Sequence, residues 1–151
     1  MIVFDLDGTL TDDSHRRPLI AGKARDDASF HEFHKLCADD GPVLPLIGLF
    51  RTLLWSYKSV EIWTGRSDAF RKETHAWLDS HVGHFDWNKI VYNMRKHGDH
   101  SPDIVLKAAW LREAREYRGQ DVELVFEDRA RCVSMWRKFG ITCAQVAPGD
   151  F

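Results

Sequence analysis

Two aspartates one residue apart, Asp5 and Asp7, follow the apolar run Ile2-Val3-Phe4 and run into Gly8-Thr9-Leu10. Alternation along an extended chain lets both carboxylates project at the end of a strand while Leu6 turns into the core between them. Gly8 allows a sharp backbone turn and exposes amides beside the acids. Polar groups of the same kind end two other apolar runs. Thr64-Gly65-Arg66 follows Val60-Glu61-Ile62-Trp63, and Glu127-Asp128 follows Leu124-Val125-Phe126. Carboxylates that converge at one edge repel unless a cation lies between them. A hard divalent ion such as Mg²⁺ suits the place, held by one or two carboxylates and leaving positions for water and a phosphate oxygen. Asp5 and Asp128 are the expected side-chain ligands. Lys107 and Arg66 add positive charge of the kind a phosphoryl group needs on its equatorial oxygens during transfer.

Each group also has a plainer use. A lone DxD is usually a solvated turn, Thr64-Gly65-Arg66 can cap a helix, and Glu127-Asp128 can form an N-cap. Three such groups in order, each at a strand end, favour the chemical use.

The elements that must position these residues follow from the apolar pattern. Ile2 to Phe4, Val60 to Trp63, Ile90 to Tyr92, Leu124 to Phe126 and Ile141 to Val146 are β-branched or aromatic runs too short for helices, which predicts five buried strands. Between them, Leu46, Leu49, Phe50, Leu53 and Leu54 share a helical face after Pro45, and Ser67 precedes a helix carrying Phe70, Trp77 and Leu78. Pro102 opens a helix with Ile104, Ala108 and Leu111 on one face. Cys132, Met135, Trp136 and Phe139 mark another, stopped by Gly140. The alternation predicts an α/β fold, a Rossmann-like parallel sheet flanked by helices. Ligands in such sheets bind beyond the carboxyl ends of the strands. Residues 11 to 42 hold Asp26-Asp27, Asp39-Asp40, three histidines and no clear strand, with one short helix suggested by Phe30, Phe33 and Cys37. This segment is expected to be a small cap-like insertion after the first strand of a single domain spanning 1–151.

The chain has 151 residues, 44% apolar and 29% charged, with a net charge of −2. That composition builds a core and excludes disorder. The near-neutral charge argues against binding polyanions by bulk electrostatics, leaving room for a local basic patch such as Arg95, Lys96, His97 and His100. Three cysteines without a CxxC argue against a disulfide scaffold or structural zinc and fit a reducing cytoplasm. No signal peptide or membrane-length apolar run is evident. The eight histidines form no HExxH and are expected mostly at the surface; His31 and His34, at i and i+3, are a weak case for zinc. Trp63 and Trp87 are candidates for stacking on a base, against the commoner fate of burial.

Asp5-Leu6-Asp7-Gly8-Thr9-Leu10 resembles the first motif of the haloacid dehalogenase (HAD) superfamily of phosphohydrolases. Thr64-Gly65-Arg66 resembles the second motif, Lys107 the third and Glu127-Asp128 the fourth, so the likeness covers nearly the whole chain. The carboxyl half is more closely similar to the 3′-phosphatase domain of phage polynucleotide kinase/phosphatase. The likeness lies in Arg95-Lys96-His97-Gly98-Asp99 with Asp103 and Lys107, and in Asp128-Arg129 with Val133, Met135-Trp136-Arg137 and Gly140. It continues through Gln145-Val146-Ala147 and Gly149-Asp150-Phe151.

The resemblance implies Mg²⁺-dependent removal of 3′-phosphate from nucleic-acid ends or nucleotides. It casts Asp5 as nucleophile, Asp7 as general acid and base, and Lys107 as the group steadying the nucleophile and phosphate. It places phosphate or substrate contacts at Gly8, Thr64, Gly65, Arg66, Arg16 and Asp103, with Arg17 competing for the role of Arg16. Metal contacts fall to Asp5, Asp7, Asp128 and Glu127. Asp7 is expected to be protonated under the influence of neighbouring carboxylates, with the metal and Lys107 opposing. Two departures stand out: no GxxxxGK[ST] is present for kinase action, and the fourth motif opens with Glu127 instead of aspartate. Alternative readings are a phosphatase of free nucleoside 5′-monophosphates or other small phosphoesters, and a receiver-like phosphoacceptor signalling module. The module is disfavoured because the third strand ends near Asn93-Met94 without an aspartate. An insertion closed over the sheet edge would favour small substrates, and an open groove would favour polymer ends.

Overall fold

The computed structural model describes residues 1–22, 27–56, 59–87 and 90–149, with the side chains of residues 27 and 28 excepted. Asp26, Asp150 and Phe151 therefore lie outside the described residues, as does the side chain of Asp27. The elements run β1 (Ile2–Phe4), β2 (Thr11–Asp12), α1 (Asp27–Lys35), β3 (Gly41–Pro42), α2 (Leu44–Trp55), β4 (Val60–Ser67), α3 (Arg71–His81), β5 (Tyr92–Arg95), α4 (Asp103–Tyr117), β6 (Leu124–Glu127), α5 (Ala130–Lys138) and β7 (Thr142–Gln145). The main sheet has the order β5-β4-β1-β6-β7, and every pair in it is parallel.

The period-2 alternation of side chains sorts this sheet into two apolar layers. Phe4 and Ile62 face one layer, with Ile47 and Phe50 of α2 and Trp77 and Leu78 of α3. Val3, Trp63 and Val125 face the other, with Leu111 and Ala114 of α4 and Cys132, Val133 and Trp136 of α5. Strands covered on both faces must be apolar throughout, and helices in the crossovers supply the cover. The register then decides the function. Phe4 at the end of β1 lies level with Ile62 of β4 and Phe126 of β6, so the polar residues that follow all three strands emerge side by side at one edge.

Several local expectations are corrected. β4 runs on through the Thr64-Gly65-Arg66 motif to Ser67, with a pairing irregularity to β5 between Thr64 and Ser67. The next strand begins at Tyr92 and ends at Arg95, so Ile90 packs on the core from outside it. On α2 the buried face is turned toward Ile47, and Leu49 is exposed. Phe139 is also exposed, at the end of α5, where Gly140 takes a φ of 76°. Residues 11 to 42 do contain strands. β2 and β3 pair antiparallel, Thr11 opposite Pro42, but two residues apiece are too few to show an alternation.

Trp63 is fully buried beside Trp110 and Trp136 and donates from Nε1 to Glu61 Oε2 at 2.7 Å. Trp87 is buried as well, so neither ring can meet a base. Burial raises the thiols of Cys37, Cys132 and Cys143 to about 11, 12 and 12, values that suit packing and not redox sensing. Among the described residues no helix is long and apolar enough to cross a membrane. Because Trp63 fills the space between the sheet and two helices, Trp63→Ala is expected to lower the unfolding free energy by about 3–5 kcal/mol, measured by urea titration.

Candidate active site

The edge begins where β1 stops. The Asp5 amide still donates to Phe126 O at 2.9 Å, carrying the sheet one residue further. Leu6, fully buried, then anchors a turn in which its carbonyl accepts from the amides of Thr9, Leu10 and Thr11. Gly8 makes that turn at a φ of 81°, where a side chain is strained. A Cβ there would also stand 2.2 Å from Asp128 Oδ2. The turn after β1 can approach Asp128, just past the neighbouring β6, because this position is glycine.

Lys107 comes from one turn inside α4. Its ammonium donates to Asp5 Oδ1 at 2.7 Å and to Glu127 Oε2 at 2.6 Å, all three groups being buried. Asp5, Glu127 and Asp128 bring carboxylate oxygens within 4.8 Å of one another. Neither oxygen of Asp128 has a hydrogen-bond partner, and Arg17 Nη2 stands off at 3.6 Å. Burial pushes the Asp5 carboxyl well above its ordinary value, with Lys107 opposing and Glu127 and Asp128 adding to the rise. Burial and Glu127 raise Asp128 to about 7. Oxygen donors, excess negative charge and two unsatisfied carboxylate oxygens together fit a hard divalent cation such as Mg²⁺.

The Asp7 carboxylate is not in that group. It accepts from Arg16 Nη2 at 2.5 Å and from Arg66. Both guanidinium groups are fully buried and are shared with Asp40. Its carboxylate accepts from Arg16 Nε and Nη2 at 2.6 Å each and from Arg66 Nη2 at 3.0 Å. Burial would raise Asp7, but Arg66 and Arg16 outweigh it and hold the carboxyl far below its usual range. The expectation of a protonated Asp7 opposed by Lys107 is corrected for this resting state. Its neighbours are two arginines, and Lys107 bonds to Asp5 and Glu127. The two neighbouring arginines part here: Arg16 reaches Asp7, while Arg17 bonds to Asp13 at 2.7 Å and stands 3.6 Å from Asp128.

Thr64 is fully buried, its Oγ1 accepting from the Arg66 amide at 3.1 Å. Gly65 lies so close to Asp103 that a Cβ would sit 2.7 Å from Oδ1. Asp103, one helical turn before Lys107, accepts from Arg95 and Arg129. Arg95 also donates to the carbonyls of Gly65 at 2.9 Å, Asp99 at 3.1 Å and Ser101 at 2.6 Å, so it organises the edge from within.

Sequence reasoning missed Asp40 and Arg129 as site residues. Arg129 had a signal in its place next to Asp128; Asp40 was visible only as half of an acidic pair. His34, expected at the surface, is buried against Phe30, Phe33 and Phe70, with ring centroids 6.1, 5.3 and 5.7 Å away. Burial pushes it down to about 3. Among the described residues the acidic trio is the one group placed to hold a metal, so His31 and His34 form no zinc site.

Asp5, Asp7, Thr64, Lys107, Asp103 and Arg129 line a cleft of about 30 Å³. Over residues 1–151 the chain matches the family described as the polynucleotide kinase PNKP phosphatase domain. The chain belongs to this family. It is a HAD-type phosphatase domain, and its fold agrees with solved relatives. A chain of the Pnkp1/Rnl/Hen1 RNA repair complex superposes with a TM-score of 0.74 at 26% identity, covering 99% of this chain and 43% of that one. The PNKP-type domain thus spans less than half the length of that relative. A putative phosphatase from Clostridium difficile gives 0.66 at 15% identity, covering 99% and 86%. A hydrolase from Pseudomonas syringae gives 0.60 at 16%, covering 95% and 82%. These last two show the fold alone.

Two outcomes follow for this PNKP-type domain. Asp40→Asn removes a charge that balances two buried guanidinium groups, and the expected loss is about 3 kcal/mol of stability by urea unfolding. His34 is neutral in the fold but takes a proton near pH 6.5 in the unfolded chain. The unfolded state therefore binds more protons between that pH and about 3, so folding weakens as pH falls through this window. Unfolding curves between pH 6.5 and 4.5 should show wild type losing up to about 1.4 kcal/mol per pH unit more than His34→Leu.

Proposed function

We propose that this domain hydrolyses phosphomonoesters at the 3′ ends of nucleic acid through a covalent phosphoryl-Asp5 intermediate, with Mg²⁺ as cofactor. The observation that carries the reading is the edge where Lys107 grips Asp5 and Glu127 while both oxygens of Asp128 lack a hydrogen-bond donor. Asp5, Asp128 and Glu127 would hold Mg²⁺, which supplies the positive charge that lets an anionic phosphate approach an anionic nucleophile.

Asp5 attacks phosphorus, and Lys107 favours its carboxylate form against the cost of burial. Thr64 lies at the strand ends where the phosphoryl oxygens must sit, while the amides from Gly8 to Thr11 are spent inside their own turn. Asp7 starts ionised. Asp7 borders the cleft while Arg16 and Arg66 are fully buried, so an incoming phosphate places its negative charge beside Asp7 and raises its proton affinity against the hold of the two arginines. Proton uptake by Asp7 thus accompanies binding. The P–O bond to the leaving group breaks as Asp7 gives it that proton. In the second step Asp7 takes a proton from the water that attacks phosphoryl-Asp5, which frees phosphate and restores the enzyme. Asp103 acts through Arg95 and Arg129, fixing the wall beside Gly65.

Two findings support nucleic acid as the substrate class. One is membership of the PNKP phosphatase-domain family together with likeness to a chain of an RNA repair complex. The other is a second cavity of about 550 Å³ beside the catalytic cleft, bordered by α1 of the small insertion and by the loop after β5. Space left open there favours a polymer end over a small ester enclosed by the insertion, which we read as a cap over one side of the edge.

The test is phosphate release from 3′-phosphorylated oligonucleotides against 3′- and 5′-mononucleotides. The expected result is preference for the 3′-phosphorylated oligonucleotides, loss of activity in EDTA with recovery on adding Mg²⁺, and a turnover drop of about a thousandfold or more in Asp5→Asn. Preference for 5′-mononucleotides would reject the substrate, and near-normal turnover by Asp5→Asn would reject the nucleophile.

A further inference from the structure

The catalytic cleft, at about 30 Å³, has no room beyond the reacting phosphoryl group. A leaving group must therefore extend into a neighbouring space. The cavity of about 550 Å³ adjoins the cleft through shared lining residues, Phe30, His34 and Arg95. Its two sides differ in chemistry. One is aromatic: Phe30, His31, His34 and Phe70 form a tilted cluster, with His31 5.3 Å from Phe70 between ring centroids. The other is the turn Lys96-His97-Gly98 after β5, where Gly98 takes a φ of 78°. The His97 amide donates to Asp68 Oδ1 at 2.9 Å and Lys96 Nζ lies 3.1 Å from Asp68 Oδ2, so Asp68 pins the turn to the start of α3. The Lys96 side chain is 81% exposed. An ion pair so exposed is weak and exchanges readily for a phosphate partner.

A flat aromatic leaving group fits the first side, and an anion one repeat further along fits the second. We propose that this cavity seats the terminal nucleoside of the 3′-phosphorylated strand. Its base lies against the half-buried Phe30 ring, with the buried Phe70 forming the floor of the cavity, and Lys96 meets the phosphodiester one nucleotide upstream. The inference rests on the substrate reading above and adds to it: the enzyme recognises the last base by stacking, without regard to its identity, and reads the strand by one backbone contact. Glu32 and Asp99 on the same lining favour a single cationic contact over a broad basic track.

The test uses three substrates: a short single strand with a 3′-phosphate on a normal terminal nucleotide, the same strand with an abasic terminal residue, and glycerol 2-phosphate. In wild type, kcat/KM for the normal end should exceed that for the abasic end about tenfold. Phe30→Ala should bring this ratio close to one, and Lys96→Glu should raise KM for the strand several-fold while flattening its salt dependence. Equal rates on normal and abasic ends by wild type overturn the proposal while leaving the 3′-end reading in place. That comparison needs no variant, so it decides even if Phe30→Ala does not fold. An unchanged ratio in a folded Phe30→Ala, or an unchanged KM in Lys96→Glu, also overturns it. Wild type that hydrolyses glycerol 2-phosphate in preference to both strands overturns the substrate reading and this inference together.

Discussion

Buried carboxylates that share too few cations govern this molecule. Two groups of charges meet at the carboxyl edge of the sheet. In one, Asp7 and Asp40 face Arg16 and Arg66, and charge is balanced within hydrogen-bond distance. In the other, Asp5 and Glu127 bond to the ammonium of Lys107, and Asp128 has Arg17 standing off at 3.6 Å. Burying unpaired charge is costly, so the first arrangement tolerates the interior and the second does not unless another cation arrives. The rise of the Asp5 and Asp128 carboxyls is the same imbalance expressed as proton affinity. A proton or a divalent ion can relieve it, and in the proposed mechanism the ion does so while Asp5 stays ionised.

The fold exists to hold that imbalance in place. β1 occupies the centre of the sheet, and its neighbours β4 and β6 are level with it, so three motifs distant in sequence end at one line. Apolar layers on both faces keep the strands from sliding, since a one-residue slip would exchange the residues of the two layers. Lys107 enters from α4, a helix fixed by Leu111 and Ala114 in the second layer. Gly8 and Gly65 are the points of closest approach, where carboxylates of Asp128 and Asp103 occupy the volume a side chain would need.

Much of this was legible in the sequence because it is written in local patterns. Short apolar runs that end in polar clusters marked β1, β4 and β6, and helical periodicity placed α2 to α5 between strands. Exact faces were less legible: Leu49 satisfies the helical spacing but sits at the margin of the buried Ile47 and Phe50 face of α2, and Phe139 falls past the end of α5. The insertion resisted reading for a different reason. β2 and β3 are too short to have a period, and Asp40 matters through Arg16 and Arg66, which are 24 and 26 residues away. His34 is buried by Phe30, Phe33 and Phe70 from two different elements, a neighbourhood no spacing rule reveals. The ionisation of Asp7 depends on those same long-range partners, so motif position alone suggested the opposite state.

The balanced group also bears on selectivity, given the proposed mechanism. Arg16 and Arg66 are fully buried and satisfied by two carboxylates, so a ligand in the cleft meets their charge only through Asp7. A terminal phosphomonoester brings close to two negative charges at neutral pH and three strong acceptor oxygens, whereas each phosphodiester in a strand brings one charge spread over two free oxygens. Beside Asp7 the monoester, with the greater charge, raises the proton affinity of that carboxyl more against the hold of the two arginines. On the proposed mechanism, the acid that the leaving group requires therefore forms most readily with a monoester bound.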